Sequence, residues 1–229
     1  MATGATIAVV IPTLNEAEEL DATIALAREG GARFVIVADG GSSDSTLEIA
    51  RGAADLVLSA PRGRALQMNL GARHAGPAEV LLFLHADTHL PHRFPDAIEA
   101  AIAGGAVGGR FDVELRGSRR LLPVIAWLIN LRSRWSGIAT GDQAMFVRRD
   151  VFEEIGGFPE IALMEDVALS RRLRRLGPVA ALRERASTSA RRWEAAGVVR
   201  TILLMWSLRL AFACGVAPER LARSYRDRR

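Results

Sequence analysis

A chain of 229 residues with 49% apolar side chains is long enough to bury one full α/β core. Its 30 basic residues are all arginine and are nearly offset by 26 acids, so a net charge of only +4 excludes general nucleic-acid binding as its main task. The lone cysteine, Cys214, can form no internal disulfide and is expected to pack as a small hydrophobe in a reducing cytoplasm.

The opening MATGATIAVVIP lacks the basic start of an export signal and runs directly into a strand, so a cytoplasmic location is expected. From Thr6 the segments TIAVVI, EAEELDATIALARE, RFVIVAD, DSTLEIARGA, DLVLSA, RGRALQMNLGARHA and EVLLFLHAD read as alternating strands and helices. Strands written as unbroken Val, Ile, Leu and Phe are buried on both faces, which predicts a mostly parallel central sheet flanked by helices. Asn15 with Glu18 three residues on predicts a capping box for the first helix, and Ser43 or Asp44 a cap for the second.

After Asp87 a helix is expected from Phe94 to Ala103, then a flexible glycine turn (AGGAVGG) and a strand, GRFDVEL. An apolar helix around Trp127, the strand QAMFVRR, a short helix and the loop GGFPEIALM follow. The charged helix EDVALSRRLRRLG and the strand PVAALRE complete this half. LLPVIAWLIN from Leu121 is too short to span a bilayer, and the apolar stretch from Val198 contains Arg200 and Arg209. Core packing, a homodimer contact and peripheral membrane contact at the inner face stay open for both. ERLARSYRDRR at the C-terminal end is expected to fray unless it docks on something anionic.

In an open parallel sheet, ligands gather beyond the carboxyl ends of the strands. Those positions here hold Pro12-Thr13-Leu14-Asn15-Glu16, Asp39-Gly40-Gly41-Ser42, Arg62-Gly63-Arg64 and His85-Ala86-Asp87-Thr88. Four polar clusters on one rim predict a site. A dinucleotide-binding domain is excluded because its first turn needs glycines, whereas PTLNEAEE has none and would set acids against a phosphate.

IPTLNE, DGGSSDST, HADT and GGFPEIALMEDVALSRRLRRLG occur in the order and spacing of a known family. With them the chain resembles the family 2 glycosyltransferases of the glycosyltransferase A fold. RGRALQMNLGA, FLHADT, GDQAMFVRR and SARRWE make it similar to a bacterial subgroup of arsenosugar-biosynthesis or radical-SAM-associated transferases. The resemblance implies a single domain over 1–229, with a nucleotide-binding half (1–90), an acceptor and catalytic half (91–193) and C-terminal helices (194–229). It also implies a nucleoside diphosphate sugar donor, a hydroxyl acceptor, Mg²⁺ or Mn²⁺, and transfer with inversion.

By the same resemblance, Pro12, Thr13, Asn15 and Glu16 line the nucleotide pocket, Asp39 accepts from the base and Arg64 grips the diphosphate. Asp87 would bind the metal, beside Ala86 and His85. The family commonly has an acid where His85 stands, so a ribose contact by His85 and simple filling of the strand end stay open. Asp166 would be the general base, with Glu165 beside it, although acids also suit a helix N-terminus for electrostatic reasons alone. Asp142, Gln143, Arg192 and Trp193 fall on the acceptor side. His89 and His92 read as solvated loop histidines. A sugar nucleotidyltransferase and a non-catalytic nucleotide-binding or membrane-docking module remain as alternatives; the first predicts a glycine-rich opening loop, which is absent.

Overall fold

The computed structural model describes residues 5–191, 194 and 197–226. Its first half comprises β1 (Ile7–Thr13), α1 (Leu20–Glu29), β2 (Phe34–Asp39), α2 (Thr46–Ala53), β3 (Leu56–Ser59), α3 (Arg64–Arg73) and β4 (Val80–Phe83). Then come β5 (Thr88–His89), α4 (Phe94–Ala103), β6 (Gly108–Arg116), α5 (Leu122–Ser136), a 3₁₀ turn (Gly141–Gln143), β7 (Met145–Arg148) and α6 (Arg149–Glu154). The chain continues through α7 (Glu165–Leu176), β8 (Val179–Ser189), α8 (Val198–Ala213) and α9 (Pro218–Arg226).

The strands form an eight-stranded sheet in the order β3-β2-β1-β4-β7-β6-β8-β5. β3, β2, β1 and β4 run parallel, as do β6 and β8, while β7 lies antiparallel between β4 and β6. Side chains alternate across each strand, so successive residues of β1 feed two different cores. Val9 and Ile11 join Leu20, Ile24, Phe94 and Ile98 beneath α1 and α4. Ala8 and Val10 join Met68, Ala72, Phe152 and Leu173 beneath α3, α6 and α7. This two-sided burial is why the strands carry no polar alternation. No helix among the described residues is long and apolar enough to cross a membrane.

Several local expectations are corrected. Helix α1 starts at Leu20 with no side-chain cap, so Asn15 and Glu18 form no capping box. Ser43 does not cap α2 either; Asp44 instead accepts from the Thr46 backbone N–H at 3.0 Å. Only the first half of the glycine cluster is a turn. Gly108 and Gly109 are buried in β6, where a Cβ on Gly109 would lie 2.4 Å from the Phe146 ring and 2.7 Å from the Ala180 carbonyl. Close packing, not flexibility, selects glycine there. Strand β8 runs to Ser189, well beyond PVAALRE, because its pairing with β6 continues past a bulge between Arg110 and Asp112. Cys214 is exposed rather than packed. α9 packs through buried Leu221 and through Tyr225 in one cluster with Leu208 of α8 and Val167 of α7, so it does not fray up to Arg226; residues 227–229 lie outside the described residues.

Candidate active site

The carboxyl ends of β1 and β2 are locked together before they meet any ligand. Thr13 Oγ1 donates to Asp39 Oδ1 at 3.1 Å, and Asp39 Oδ2 accepts the backbone N–H groups of Gly41 and Ser42, each at 2.9 Å. The Ser42 hydroxyl supplies a fourth donor to Asp39 Oδ1. Burial alone would push the Asp39 carboxyl up; the bonds from Ser42, Gly41 and Thr13 outweigh it and hold the group below its ordinary value. Four donors use the full acceptor capacity of a carboxylate, so a base N–H at Asp39 must displace one of the two hydroxyls.

The neighbouring loops are stitched in the same way. Ser43 N–H donates to Asn15 Oδ1 at 2.8 Å, Asn15 N–H to Ser42 Oγ at 2.9 Å, and Glu16 N–H to Thr46 Oγ1 at 2.8 Å. Asn15 holds a left-handed backbone, with φ of 56°, to make this possible. From α3, buried Gln67 donates to the carbonyls of Thr13 (2.7 Å) and Ala38 (2.9 Å), clamping the two strand ends. Pro12 is buried inside this wall.

Asp87 follows β4 with its side chain 27% exposed, and a cation already stands beside it. Arg191, two residues past β8, approaches Asp87 at 3.7 Å, Glu16 at 3.2 Å and Glu18 at 3.2 Å. Burial and the charge of Asp87 raise the Glu16 pKa, and Arg191 works against both. Behind them Arg116 touches the His89 ring, bonds the Asp87 carbonyl at 3.0 Å and pairs with Glu19 at 3.1 Å. His89 is therefore a paired, part-buried histidine in β5, not a solvated loop one; burial first, and Arg116 second, lower its pKa.

Asp166 comes to the same rim from the far end of the sequence. The Phe158 backbone is held at both N–H and C=O by Asn69 of α3, each at 2.9 Å, and its ring stacks edge-on to Phe83 with centroids 4.8 Å apart. That fixes the loop leading to Met164, whose left-handed φ of 72° turns the chain into α7. Asp166 Oδ2 accepts the Gly141 N–H at 2.9 Å and Oδ1 the Val167 N–H at 2.7 Å. Burial, and then the charge of buried Glu165, push the Asp166 pKa up to about 7, against these two bonds and the charge of Arg64. Arg64, exposed at the start of α3, acts electrostatically on both Glu16 and Asp166.

His85 closes the circuit. Its ring lies against Gly141, where a Cβ would come within 2.3 Å of Nε2, so the residue two before Asp87 touches the turn that holds Asp166. Ala86 is a core residue whose carbonyl accepts from Thr23 Oγ1 at 2.7 Å. Gln143 is fully buried, and its amide bonds Thr140 and the Phe111 carbonyl, so it locks the turn rather than reaching outward. Asp142 Oδ1 is buried with no hydrogen-bond partner, as is Arg132 Nη2 on α5. Burial lowers the Arg132 pKa while the charges of Asp142 and Asp166 oppose it. Gln67, Asn69 and Arg191 fall inside the segments RGRALQMNLGA and SARRWE, though the resemblance assigns them no roles of their own; for Arg132, an arginine inside an apolar helix is the one available signal. Arg192 and Trp193 lie outside the described residues.

Among the described residues no group of three or more His, Cys, Asp or Glu side chains gathers to hold a metal. One accessible carboxylate at Asp87 fits a different kind of site, in which diphosphate oxygens and water supply most of the ligands to Mg²⁺ or Mn²⁺.

The fold is shared with solved glycosyltransferases. S. aureus TarS superposes with a TM-score of 0.59 at 17% identity over 80% of this chain. GalNAc-T7, solved with UDP, GalNAc and Mn²⁺, gives 0.64 at 17% over 82%. Glucosyl-3-phosphoglycerate synthase from Mycobacterium tuberculosis, solved with Mn²⁺, UDP and glucosyl-3-phosphoglycerate, gives 0.61 at 19% over 93%. The chain spans 36% of the first, 44% of the second and 81% of the third. No curated protein matches its sequence. The glycosyl transferase family 2 profile matches residues 8–156, from β1 through the rim acids to the loop before α7, and the chain belongs to that family.

Proposed function

We propose that the chain transfers a sugar from a nucleoside diphosphate donor to a hydroxyl acceptor in one inverting displacement, with Asp166 as general base. The observation that carries this reading is the part-buried Asp166 carboxyl, held by the Gly141 and Val167 N–H groups and raised to about 7 on the rim that also holds Asp87 and Arg64. A base whose pKa lies near neutrality is deprotonated in useful amount yet still takes a proton. The acceptor oxygen bonds to the anomeric carbon, its proton passes to Asp166, and the bond to the diphosphate oxygen breaks with departure of the nucleoside diphosphate.

The stitched loops around Thr13, Asn15 and Asp39 form the nucleotide wall, and Arg64 faces the diphosphate. Asp87 would hold the divalent cation, which when bound neutralises charge on the leaving group. Residues 1–90 serve as the donor half, 91–193 carry the acceptor side and the base, and the C-terminal part from 194 supplies the helices α8 and α9. The four subgroup-like segments supply Arg64 and Gln67, His85 and Asp87, Gly141, and Arg191, all at this rim, which supports the narrower arsenosugar-type assignment.

Release of nucleoside diphosphate across a panel of nucleotide sugars, with and without chelator, tests the reaction. Asp166→Asn is expected to lower kcat by on the order of 10²- to 10⁴-fold with donor affinity retained. In the parent protein log kcat/KM should climb with pH and level off near 7. Full turnover in the variant, or pyrophosphate as the product, would overturn the assignment.

A further inference from the structure

Two helices carry large apolar side chains that neither core uses. α5 buries Leu122, Ile125 and Ala126 against β6 and Ala190. Its other face shows Leu121, Val124, Trp127, Leu128, Leu131 and Trp135, exposed by 56%, 52%, 60%, 48%, 47% and 94%. Spaced three or four apart, they form one continuous stripe. α8 repeats the design: Leu208 packs beside Met164 and Val167, while Leu203, Trp206 and Leu210 stand 65%, 69% and 67% exposed. Scattered surface leucines need no explanation, but two stripes holding three of the chain's four tryptophans do.

Charge identifies the occupant. Residues 117–137 and 197–217, which contain the two helices, hold none of the chain's 26 acids but six of its arginines: Arg119, Arg120, Arg132, Arg134, Arg200 and Arg209. Arg132 points inward and Arg134 turns onto Asp112 at 2.6 Å, whereas Arg119, Arg120 and Arg200 are exposed. A symmetric pairing of either face with a second copy would bring its arginines together, and the two acids beside α5 are already engaged, Asp112 with Arg134 and Glu194 at Ser118. An anionic headgroup layer answers the exposed arginines, and tryptophan is the side chain favoured at such an interface.

We propose that the exposed faces of α5 and α8 dock the protein peripherally on an anionic phospholipid surface. Both stripes flank the same site: Arg132 of α5 lies within electrostatic reach of Asp142 and Asp166, and α8 packs on the residues either side of Glu165 and Asp166. Docking through them therefore holds the catalytic rim at the headgroup layer. If the transfer reaction proposed above is correct, an acceptor hydroxyl carried by a membrane lipid meets Asp166 there.

Flotation of the full chain with phosphatidylcholine vesicles, against vesicles that also contain phosphatidylglycerol, tests the docking directly. Binding is expected to be about tenfold or more tighter to the anionic vesicles and to weaken with added salt. Trp135→Ser with Trp206→Ser, and separately Arg119→Glu with Arg120→Glu, should each cost about tenfold or more in vesicle affinity while the melting temperature stays put. Absence of binding to both vesicle types overturns the proposal, as does equal, salt-insensitive binding to the two. A concentration-dependent dimer that the tryptophan substitutions dissolve, without vesicle binding, would assign the faces to a second copy instead. Because the readout is binding alone, its failure leaves the role of Asp166 standing, and loss of turnover in Asp166→Asn leaves the docking standing.

Discussion

Asp166 links catalysis to stability with a definite sign. Its folded-state pKa is raised from 3.8 to about 7, so its favourable contribution is complete below the unfolded value and is lost as pH climbs through the folded one. Asp166→Asn removes the buried charge and should melt higher than the parent at pH 8. The gain should be at least about 1.4 kcal/mol, which corresponds to a tenfold bias of folding against the ionised carboxyl, and should shrink toward pH 4. Thermal melts at the two pH values decide it; an equal difference at both would refute the burial account. Arg191 supports a second prediction. Its guanidinium neutralises Glu16 and Asp87 before any donor arrives. Arg191→Ala should therefore tighten Mn²⁺ binding to the donor-free protein by about threefold to tenfold, as expected when an opposing cation is removed from a part-exposed carboxylate. Calorimetric titration with Mn²⁺ reads this, and an unchanged or weaker affinity would mean that Arg191 and metal do not compete for Asp87.

Elements differ in how openly they announce themselves. β1, β2 and β4 are legible because a strand covered on both faces is written in apolar residues alone. Only the first half of β8 is, because Arg183 to Arg185 are exposed and charged; the extension to Ser189 follows from pairing with β6. The start of α1 is hidden for a related reason. Asn15 has the chemistry of a cap, but its partner is Ser43, 28 residues away in another loop, and no local pattern encodes that bond. At the site, Asp87 and Asp166 are recognisable from motif, whereas Gln67, Asn69 and Arg132 act through contacts across the fold. The turn Gly141–Gln143 is the element whose geometry governs the base. Gly141→Ala should destabilise the fold by about 1–3 kcal/mol, since the new methyl meets the His85 ring, and should lower kcat by releasing Asp166. Adding His85→Ala should restore most of the melting temperature. If the double variant melts no higher than Gly141→Ala alone, the clash is not the cause.

On the scale of the whole molecule, sequence order and spatial order diverge. The donor wall is built from β1 to β4, yet β7 pairs with β4 from residues far downstream and separates it from β6. Residues 1–90 by themselves leave the β4 edge open and remove Phe146, Phe152 and Leu173 from the two cores. That fragment should show little fixed tertiary structure by near-ultraviolet circular dichroism, whereas the full chain should unfold in one cooperative transition. A fragment with a native-like spectrum and nucleotide affinity would show that the donor half stands alone.

The position of β7 also matters during synthesis. A ribosome releases Phe83 long before Met145–Arg148, and for that interval β4 presents an unpaired apolar edge to everything else in the cell. The nascent chain is thus most vulnerable to self-association just after its nucleotide wall has emerged, and chaperones that shield apolar strands would act in that window.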